Sequence, residues 1–271
     1  MGDLGMDLEN QQDYEKFKGL FFRLTGINLS LYKEEQMKRR LNTFRLKKDM
    51  PTFVDFYQAM KLSDQLLGEF LSRMTINVTE FFRNPSRWEV LDRKMAILAQ
   101  KKRKISVWSA ACSTGEEAYS LAILLQRHLP TENLSITATD IDQEVLRKAE
   151  EGRYLETGVA SVPAVERQRF FTKKGLFYTV DPLLKKSIRF LHQDLLHDPA
   201  PGFFDLVVCR NVLIYFTEEG KNLIYRKISD SLNSGGLLFV GSTEQIFHPE
   251  VLNLQPSDTF FYKKLGSDGA R

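Results

Sequence analysis

Cysteine is nearly absent from this chain: Cys112 and Cys209 are the two among 271 residues. Two cannot build the disulfide framework that staples small secreted folds, so free thiols and a cytosolic compartment are expected. Histidine is almost as scarce, at four. His192 and His197 lack the spacing of paired ligands on a helix, so no metal site is expected. No run approaches the roughly 18 apolar residues of a membrane helix. The opening Met1-Gly2-Asp3-Leu4-Gly5 has neither the basic start nor the apolar core of a signal peptide. Nine prolines and 16 glycines are too few for a low-complexity chain. What remains is an ordinary globular mixture, 42% hydrophobic and 27% charged, long enough for one large domain or two modest ones.

An excess of one sign of charge is also missing overall, since 38 basic and 35 acidic residues leave +3. Its distribution is uneven. From Lys33 to Lys48, seven basic residues face two acidic ones (Glu34, Glu35), a local +5 that leaves −2 for everything else. Met37, Leu41 and Phe44 recur at helical spacing there. Lys38 with Arg45, and Arg40 with Lys47, flank that stripe, while Arg39 points away from it. The segment is either a solvated helix face or a docking surface for an acidic partner. A second basic run, Lys101-Lys102-Arg103-Lys104, reads as a solvated connector.

Residues from about 10 to 75 carry helical patterns only. Tyr14, Phe17, Leu20, Phe21 and Leu24 share one face, and Gly26 is a helix stop. Pro51-Thr52 starts a short helix through Phe53, Phe56 and Tyr57. Ser63 caps another carrying Leu66, Leu67, Phe70, Leu71 and Met74. From about residue 105, short apolar strands alternate with helices. Strands are expected at Ile105–Ala110, Leu134–Thr139, Ile188–Leu191, Leu206–Cys209 and Leu237–Gly241. Helices are expected at Glu116–His128, Gln143–Glu151 and near Glu218–Leu232. This alternation predicts a mainly parallel sheet covered on both faces. Phe260-Phe261-Tyr262-Lys263 closes it as an edge strand, and extended runs around Leu176–Val180 and Lys186–Phe190 suggest a small β insertion.

Ligands of open α/β sheets bind at the carboxyl ends of the strands. The first such turn, Ala110-Ala111-Cys112-Ser113-Thr114-Gly115-Glu116-Glu117, is built of small residues but lacks G-x-G-x-x-G. Glu116 and Glu117 put negative charge where a pyrophosphate would need free N–H groups. Helix capping by the dipole explains one of them; the pair fits a ligand carrying positive charge or hydroxyls. The second strand ends in Thr139-Asp140-Ile141-Asp142, where Asp140 can accept from a ribose diol and Asp142 is the N-cap of the next helix. Sulfonium, amino acid and ribose together describe S-adenosylmethionine.

Four strings, in order, resemble the CheR-type chemotaxis-receptor methyltransferases. They are Ile76-Asn77-Val78-Thr79-Glu80-Phe81-Phe82-Arg83, Val107-Trp108-Ser109-Ala110-Ala111-Cys112-Ser113-Thr114-Gly115-Glu116-Glu117, Thr139-Asp140-Ile141-Asp142, and Cys209-Arg210-Asn211-Val212-Leu213-Ile214-Tyr215-Phe216. The resemblance implies a helical substrate-recognition domain (1–75), a linker and first helix (76–104), and a class I, Rossmann-like methyltransferase domain (105–265). A β-subdomain at about 171–190 and a tail (266–271) complete it. It further implies cofactor contacts from Asn77, Thr79, Arg83, Glu117, Asp140, Asp194, Leu195, Asn211 and Val212. Asp194 stands where the family often has Asn.

The implied reaction is methyl transfer from S-adenosylmethionine to glutamate side chains of bacterial chemoreceptors, leaving S-adenosylhomocysteine. A glutamate, with an unperturbed pKa of about 4.3, is already ionised near neutrality and needs no general base. Orientation is what the enzyme must supply. Arg83 can hold a carboxylate, the cofactor's or the substrate's; Tyr215 either positions the substrate glutamate or is a capped core aromatic. The basic residues Lys38, Arg39, Arg40, Arg45 and Lys47 would steer acidic methylation helices. The stretch Phe171-Thr172-Lys173-Lys174-Gly175-Leu176-Phe177 matches a loop that some members use to hold a receptor's C-terminal peptide; short and with one glycine, it predicts no dependence on that tether. A monomer acting in the cytoplasm at membrane receptor arrays is expected. A nucleic-acid methyltransferase would offer Asn/Asp-Pro-Pro-aromatic where this chain has Arg210-Asn211-Val212-Leu213, so no nucleic-acid partner is expected. A non-catalytic cofactor sensor is the rival of another class.

Overall fold

The computed structural model describes residues 2–75 and 77–266, with side chains from residue 11 onward. Met1, Ile76 of the expected linker and residues 267–271 of the expected tail lie outside the described residues. The chain forms two compact units, Met1–Ile76 with Tyr215–Leu223, and Asn77–Ile214 with Ile224–Arg271. Among the described residues, no helix is long and apolar enough to cross a membrane.

The first unit contains α1 (Gly2–Thr25), α2 (Glu34–Lys47), α3 (Phe53–Lys61) and α4 (Asp64–Met74). Gly26, at φ +77°, ends α1 with its N–H on the Phe22 carbonyl. Thr52 and Ser63 cap α3 and α4, accepting from the Asp55 and Leu66 N–H groups. Asp13 of α1 adds a cap no local pattern announces, its carboxylate accepting from the Phe53 and Val54 N–H groups at 2.6 and 3.2 Å. The apolar faces close on an aromatic core of Tyr14, Phe17, Phe21, Phe53, Phe56 and Phe70, joined by Met37, Leu41 and Phe44 of α2. A distant stretch of chain completes this unit. The Lys33 N–H donates to the Tyr215 carbonyl and the Thr217 N–H to the Leu31 carbonyl, both at 2.9 Å, and Phe216 lies 4.6 Å from Tyr32 between ring centres.

In the second unit, α5 (Pro85–Lys101) precedes β1 (Ile105–Ala110), α6 (Glu116–Leu125), β2 (Leu134–Asp140) and α7 (Gln143–Glu151). Then come β3 (Arg153–Leu155), α8 (Ala164–Phe170), β4 (Phe171–Lys174), β5 (Phe177–Val180), α9 (Pro182–Lys185), β6 (Ile188–His192) and β7 (Phe204–Cys209). The chain closes with α10 (Glu218–Ser231), whose first turns belong to the helical unit, β8 (Leu232–Val240), β9 (Leu254–Asp258) and β10 (Phe261–Lys264). Among the described residues, seven strands form one sheet in the order β6-β2-β1-β7-β8-β10-β9. The first five are parallel, and β10 runs antiparallel to both its neighbours, β8 and β9. This is the Rossmann-like methyltransferase arrangement, and its strand order reverses beside β1.

Three expectations change. The strand at Phe261 is not the edge, because β9 pairs outside it. The β insertion is a separate three-stranded sheet, β3-β5-β4, spanning Arg153 to Val180; the run near Lys186–Phe190 belongs instead to β6, paired in parallel with β2. The helix at Glu116 ends at Leu125 rather than His128, the next residues forming a turn.

Candidate active site

Register brings the expected cofactor segments to one edge of the sheet. Ala110, the last residue of β1, pairs with Thr139 on one side and Cys209 on the other, while His192 pairs with Asp140 and Val240 with Cys209. The turns that begin at Ala111, Ile141, Gln193, Arg210 and Gly241 therefore emerge side by side at the carboxyl ends.

The turn after β1 places Ala111, Ser113 and Gly115 in the left-handed region, at φ 62°, 50° and 94°. A Cβ on Gly115 would lie 2.9 Å from that of Ala149, so only glycine lets this turn close against α7. The coiled backbone turns the Ser113 N–H onto Asp140 Oδ2 at 2.8 Å, and Asp140 Oδ1 accepts from the Asp142 N–H at 3.0 Å. Each Asp140 oxygen thus keeps acceptor capacity for a further donor. Burial raises the Asp140 pKa, with the backbone N–H groups of Asp142, Ser113 and Ile141 opposing. Asp142 caps α7 as expected and also accepts from Asn77 Nδ2 at 3.0 Å, which ties the linker to the second turn.

Glu117 is half-buried, its side chain 13% exposed; it accepts from Ser109 Oγ at 2.8 Å and lies 3.5 Å from Arg210 Nη1. Burial raises its pKa, against the pull of Arg210 and Ser109. Glu116, raised by burial, is engaged by Thr114 Oγ1. Arg83 is half-buried and donates to the Val78 carbonyl at 3.1 Å; Thr79 is half-buried. Asp194 is buried and accepts from the Leu196 N–H and His197 Nδ1, both at 2.8 Å, while the Leu195 carbonyl accepts from Lys227 Nζ at 2.6 Å.

Asn211 sits at φ 59°, and its N–H donates to Glu244 Oε2 at 2.7 Å. The Leu213 and Gly241 N–H groups converge on the same carboxylate. Val212 is half-buried within this loop. Glu244 is not among the expected site residues; its signal in the sequence is an acid four residues after the end of β8. Arg210 and Ser113 lie inside recognised strings yet go unassigned. The Ser113 hydroxyl is buried with no hydrogen-bond partner, and together with the open acceptor sites on Asp140 and Glu117 it suits a ligand bearing hydroxyls and positive charge. S-adenosylmethionine fits that donor and acceptor set.

The remaining candidates belong to the helical unit. Arg39 and Lys47 of α2 are exposed and, with Arg40, Gln36, Thr43 and Arg73, line a groove of about 480 Å³ floored by Phe44. Arg40 donates to the Met74 carbonyl and lies 5.7 Å from the centre of the Tyr215 ring. Lys38 is half-buried, bonded to Gln11 and 5.5 Å from the Tyr14 ring. Arg45 does not flank the stripe at the surface. It is 5% exposed, spends its donors on Asn42 and the Met50 and Pro51 carbonyls, and stacks 5.0 Å from Phe53.

Residues 12–75 match the family profile of the CheR methyltransferase all-alpha domain, and residues 77–261 that of the CheR methyltransferase SAM-binding domain. A chemotaxis protein methyltransferase of Listeria innocua is 46% identical over 95% of this chain and 98% of its own length. Its counterpart in Listeria monocytogenes is 45% identical over the same shares. Chemotaxis protein methyltransferase 1 of Pseudomonas aeruginosa is 32% identical over 86% of this chain and 90% of its own. With its S-adenosylmethionine-binding edge and its all-helical N-terminal unit both matched, the chain belongs to the CheR methyltransferase family.

Proposed function

We propose that this chain methylates glutamate side-chain carboxylates of bacterial chemotaxis receptors, forming the methyl esters that set adaptation. The observation that carries this reading is the likeness to CheR chains over nearly the whole length, cofactor half and helical half alike. S-adenosylmethionine supplies an electrophilic methyl group on a sulfonium and leaves as S-adenosylhomocysteine. Asp140 takes the ribose hydroxyls, Glu117 the ammonium and Arg83 a carboxylate. Asn77 and Thr79 close on the cofactor from the linker, and Asp194, Leu195, Asn211 and Val212 from the later turns. No base is required of the protein, because the substrate arrives ionised. Its task is to bring an anion and a cation into line out of water, where orientation is worth about 7–11 kcal/mol. Tyr215 positions the substrate glutamate; its place in the helical unit, beside Arg40, supports a role on the substrate's side.

The helical unit recognises the receptor. Arg39, Arg40 and Lys47, with Arg73 added by the groove, form the cationic face for an acidic methylation helix, and Lys38 extends it. Arg45 serves that face only by holding α2 in place. The β4–β5 turn has two residues, Gly175 and Leu176, which supports independence from a receptor C-terminal peptide. The protein is read as a monomer that works in the cytoplasm at receptor arrays, with no nucleic-acid partner.

The deciding experiment incubates the protein with radiolabelled S-adenosylmethionine and receptor-containing membranes, then applies mild alkali. Label released as methanol identifies a carboxyl methyl ester. Label that stays on the protein means an N- or C-methyl product, and cofactor binding without transfer supports a sensor.

A further inference from the structure

We propose that Arg210 is the positioning residue for the methionine end of the cofactor, gripping the Glu117 carboxylate with one guanidinium nitrogen and the Arg83 carbonyl with the other. The inference rests on the reading of Glu117 and Arg83 as cofactor contacts. Arg210 Nη1 lies 3.5 Å from Glu117 Oε2, and Nη2 donates to the Arg83 carbonyl at 2.8 Å. Its side chain is only 5% exposed. Aromatic faces wall the guanidinium, with the Phe239 ring centre at 4.6 Å and that of Trp88 at 5.8 Å. Trp88 Nε1 donates to the same Arg83 carbonyl at 2.9 Å. That carbonyl lies in a turn whose flanking residues, Phe82 and Asn84, are both left-handed, at φ 50° and 62°. Such a turn persists only when its surroundings hold it, and Arg210 and Trp88 supply the grip. One side chain therefore fixes the placement of Arg83 and of Glu117, which lie on different elements.

Charge gives the arrangement a direction. Two carboxylates, the half-buried Glu117 and the buried Glu244, act on one buried guanidinium. Arg83 also acts on that guanidinium as a like charge, so two cations face the two acids, a balance that suits the zwitterionic methionine end of the ligand. The ion pair of 3.5 Å leaves Glu117 acceptor capacity for an ammonium donor. The groups acting on Glu117 are Arg210, the Ser109 hydroxyl, Glu244 and the buried thiols of Cys112 and Cys209. Of these, Arg210 is the cation, so its loss would leave burial and Glu244 to protonate Glu117.

The test measures S-adenosylhomocysteine affinity by calorimetry, with melting temperatures, for wild type, Arg210→Lys, Arg210→Gln, Glu117→Gln and the Arg210→Gln/Glu117→Gln double variant. Two pH values, about 5.5 and 7, keep the ligand's ammonium charged, since even a peptide's α-amino group, which lacks the adjacent carboxylate, titrates at about 7.7–8.0. Arg210→Lys keeps the charge but loses the fork, and should weaken binding about tenfold at both pH values. Arg210→Gln should weaken it more at the lower pH, and that excess should vanish in the double variant, where no acid remains to titrate. A merely structural role would lower the melting temperature without this pH signature. Binding by Arg210→Lys within about twofold of wild type would overturn the inference, as would an unchanged pH response in Arg210→Gln. If Arg210→Gln fails to fold, the Lys variant decides alone. If Glu117→Gln leaves affinity intact, the assignment of Glu117 to the cofactor falls, and this inference with it; if Glu117→Gln weakens binding but neither Arg210 variant does, only the inference falls.

Discussion

Three backbone N–H groups, from Gly241, Asn211 and Leu213, point at the buried carboxylate of Glu244. Gly241 is glycine for this reason, since a Cβ there would meet Glu244 Oε2. Replacing Glu244 with Ala strands three donors, each costing about 1–3 kcal/mol when buried and unpaired. Melting curves of Glu244→Ala should show a loss of at least about 3 kcal/mol, and cofactor affinity should fall because Asn211 loses the support for its left-handed backbone. Unchanged affinity in folded Glu244→Ala would detach this loop from the cofactor. Gly115→Ala is a second sharp case. Its φ of +94° and the contact with Ala149 predict destabilisation beyond the roughly 1 kcal/mol of an ordinary glycine-to-alanine mismatch. Gly115, Asp140 and Asp142 were legible because turn chemistry is local. Arg210 was not, because the Arg83 carbonyl lies 127 residues away along the chain, and Glu244 was not, because two of its three donors, Asn211 and Leu213, lie 33 and 31 residues away.

Helical periodicity made α2 readable, and the stripe Met37, Leu41, Phe44 is buried. Period alone could not separate Arg45 from its exposed neighbours, because the loop at Met50 and Pro51 folds back over it. The two kinds of cation should respond differently to substitution. Arg39→Glu with Lys47→Glu should slow receptor methylation at low substrate and flatten its ionic-strength dependence, with the melting temperature within a few degrees of wild type. Arg45→Ala should instead lower stability, by on the order of 2 kcal/mol or more, since two carbonyls and the Asn42 amide lose their donor. A wild-type rate indifferent to salt would sink the docking role of this face. The strands the reading missed have equally physical reasons. β9, Leu254-Gln255-Pro256-Ser257-Asp258, buries Leu254 alone, and its proline is tolerated because it lies on the sheet edge. β3 is three residues long and buries Tyr154 alone. Neither carries an apolar alternation to detect.

For the whole molecule, the buried acids of the candidate site set the response to pH. Burial raises the pKa values of Glu116, Glu117, Asp140 and Glu244. An acid with a higher pKa folded than unfolded contributes stability that is full below its unfolded value, about 4, and is lost as pH rises through the folded value. The ligand-free protein should therefore lose stability from these groups as pH climbs from about 4.5 toward neutrality. Asp205 acts oppositely, below about 4, because Lys102 and the Ser106 N–H outweigh its burial. A cationic ligand favours the ionised acids, so the rise in melting temperature given by saturating S-adenosylmethionine should be larger at about pH 7 than at about pH 5. An equal or smaller rise would mean that these acids do not face the ligand. The division of the chain has a different consequence. The helical unit is discontinuous: it takes back Tyr215–Leu223 and clasps that stretch through Leu31, Tyr32 and Lys33. Gene dissection at residue 76 would accordingly give not two autonomous modules but a split protein, in which the shorter fragment misses part of its own wall and the longer one bares Phe216. Co-expressed, the two pieces should find each other and co-purify.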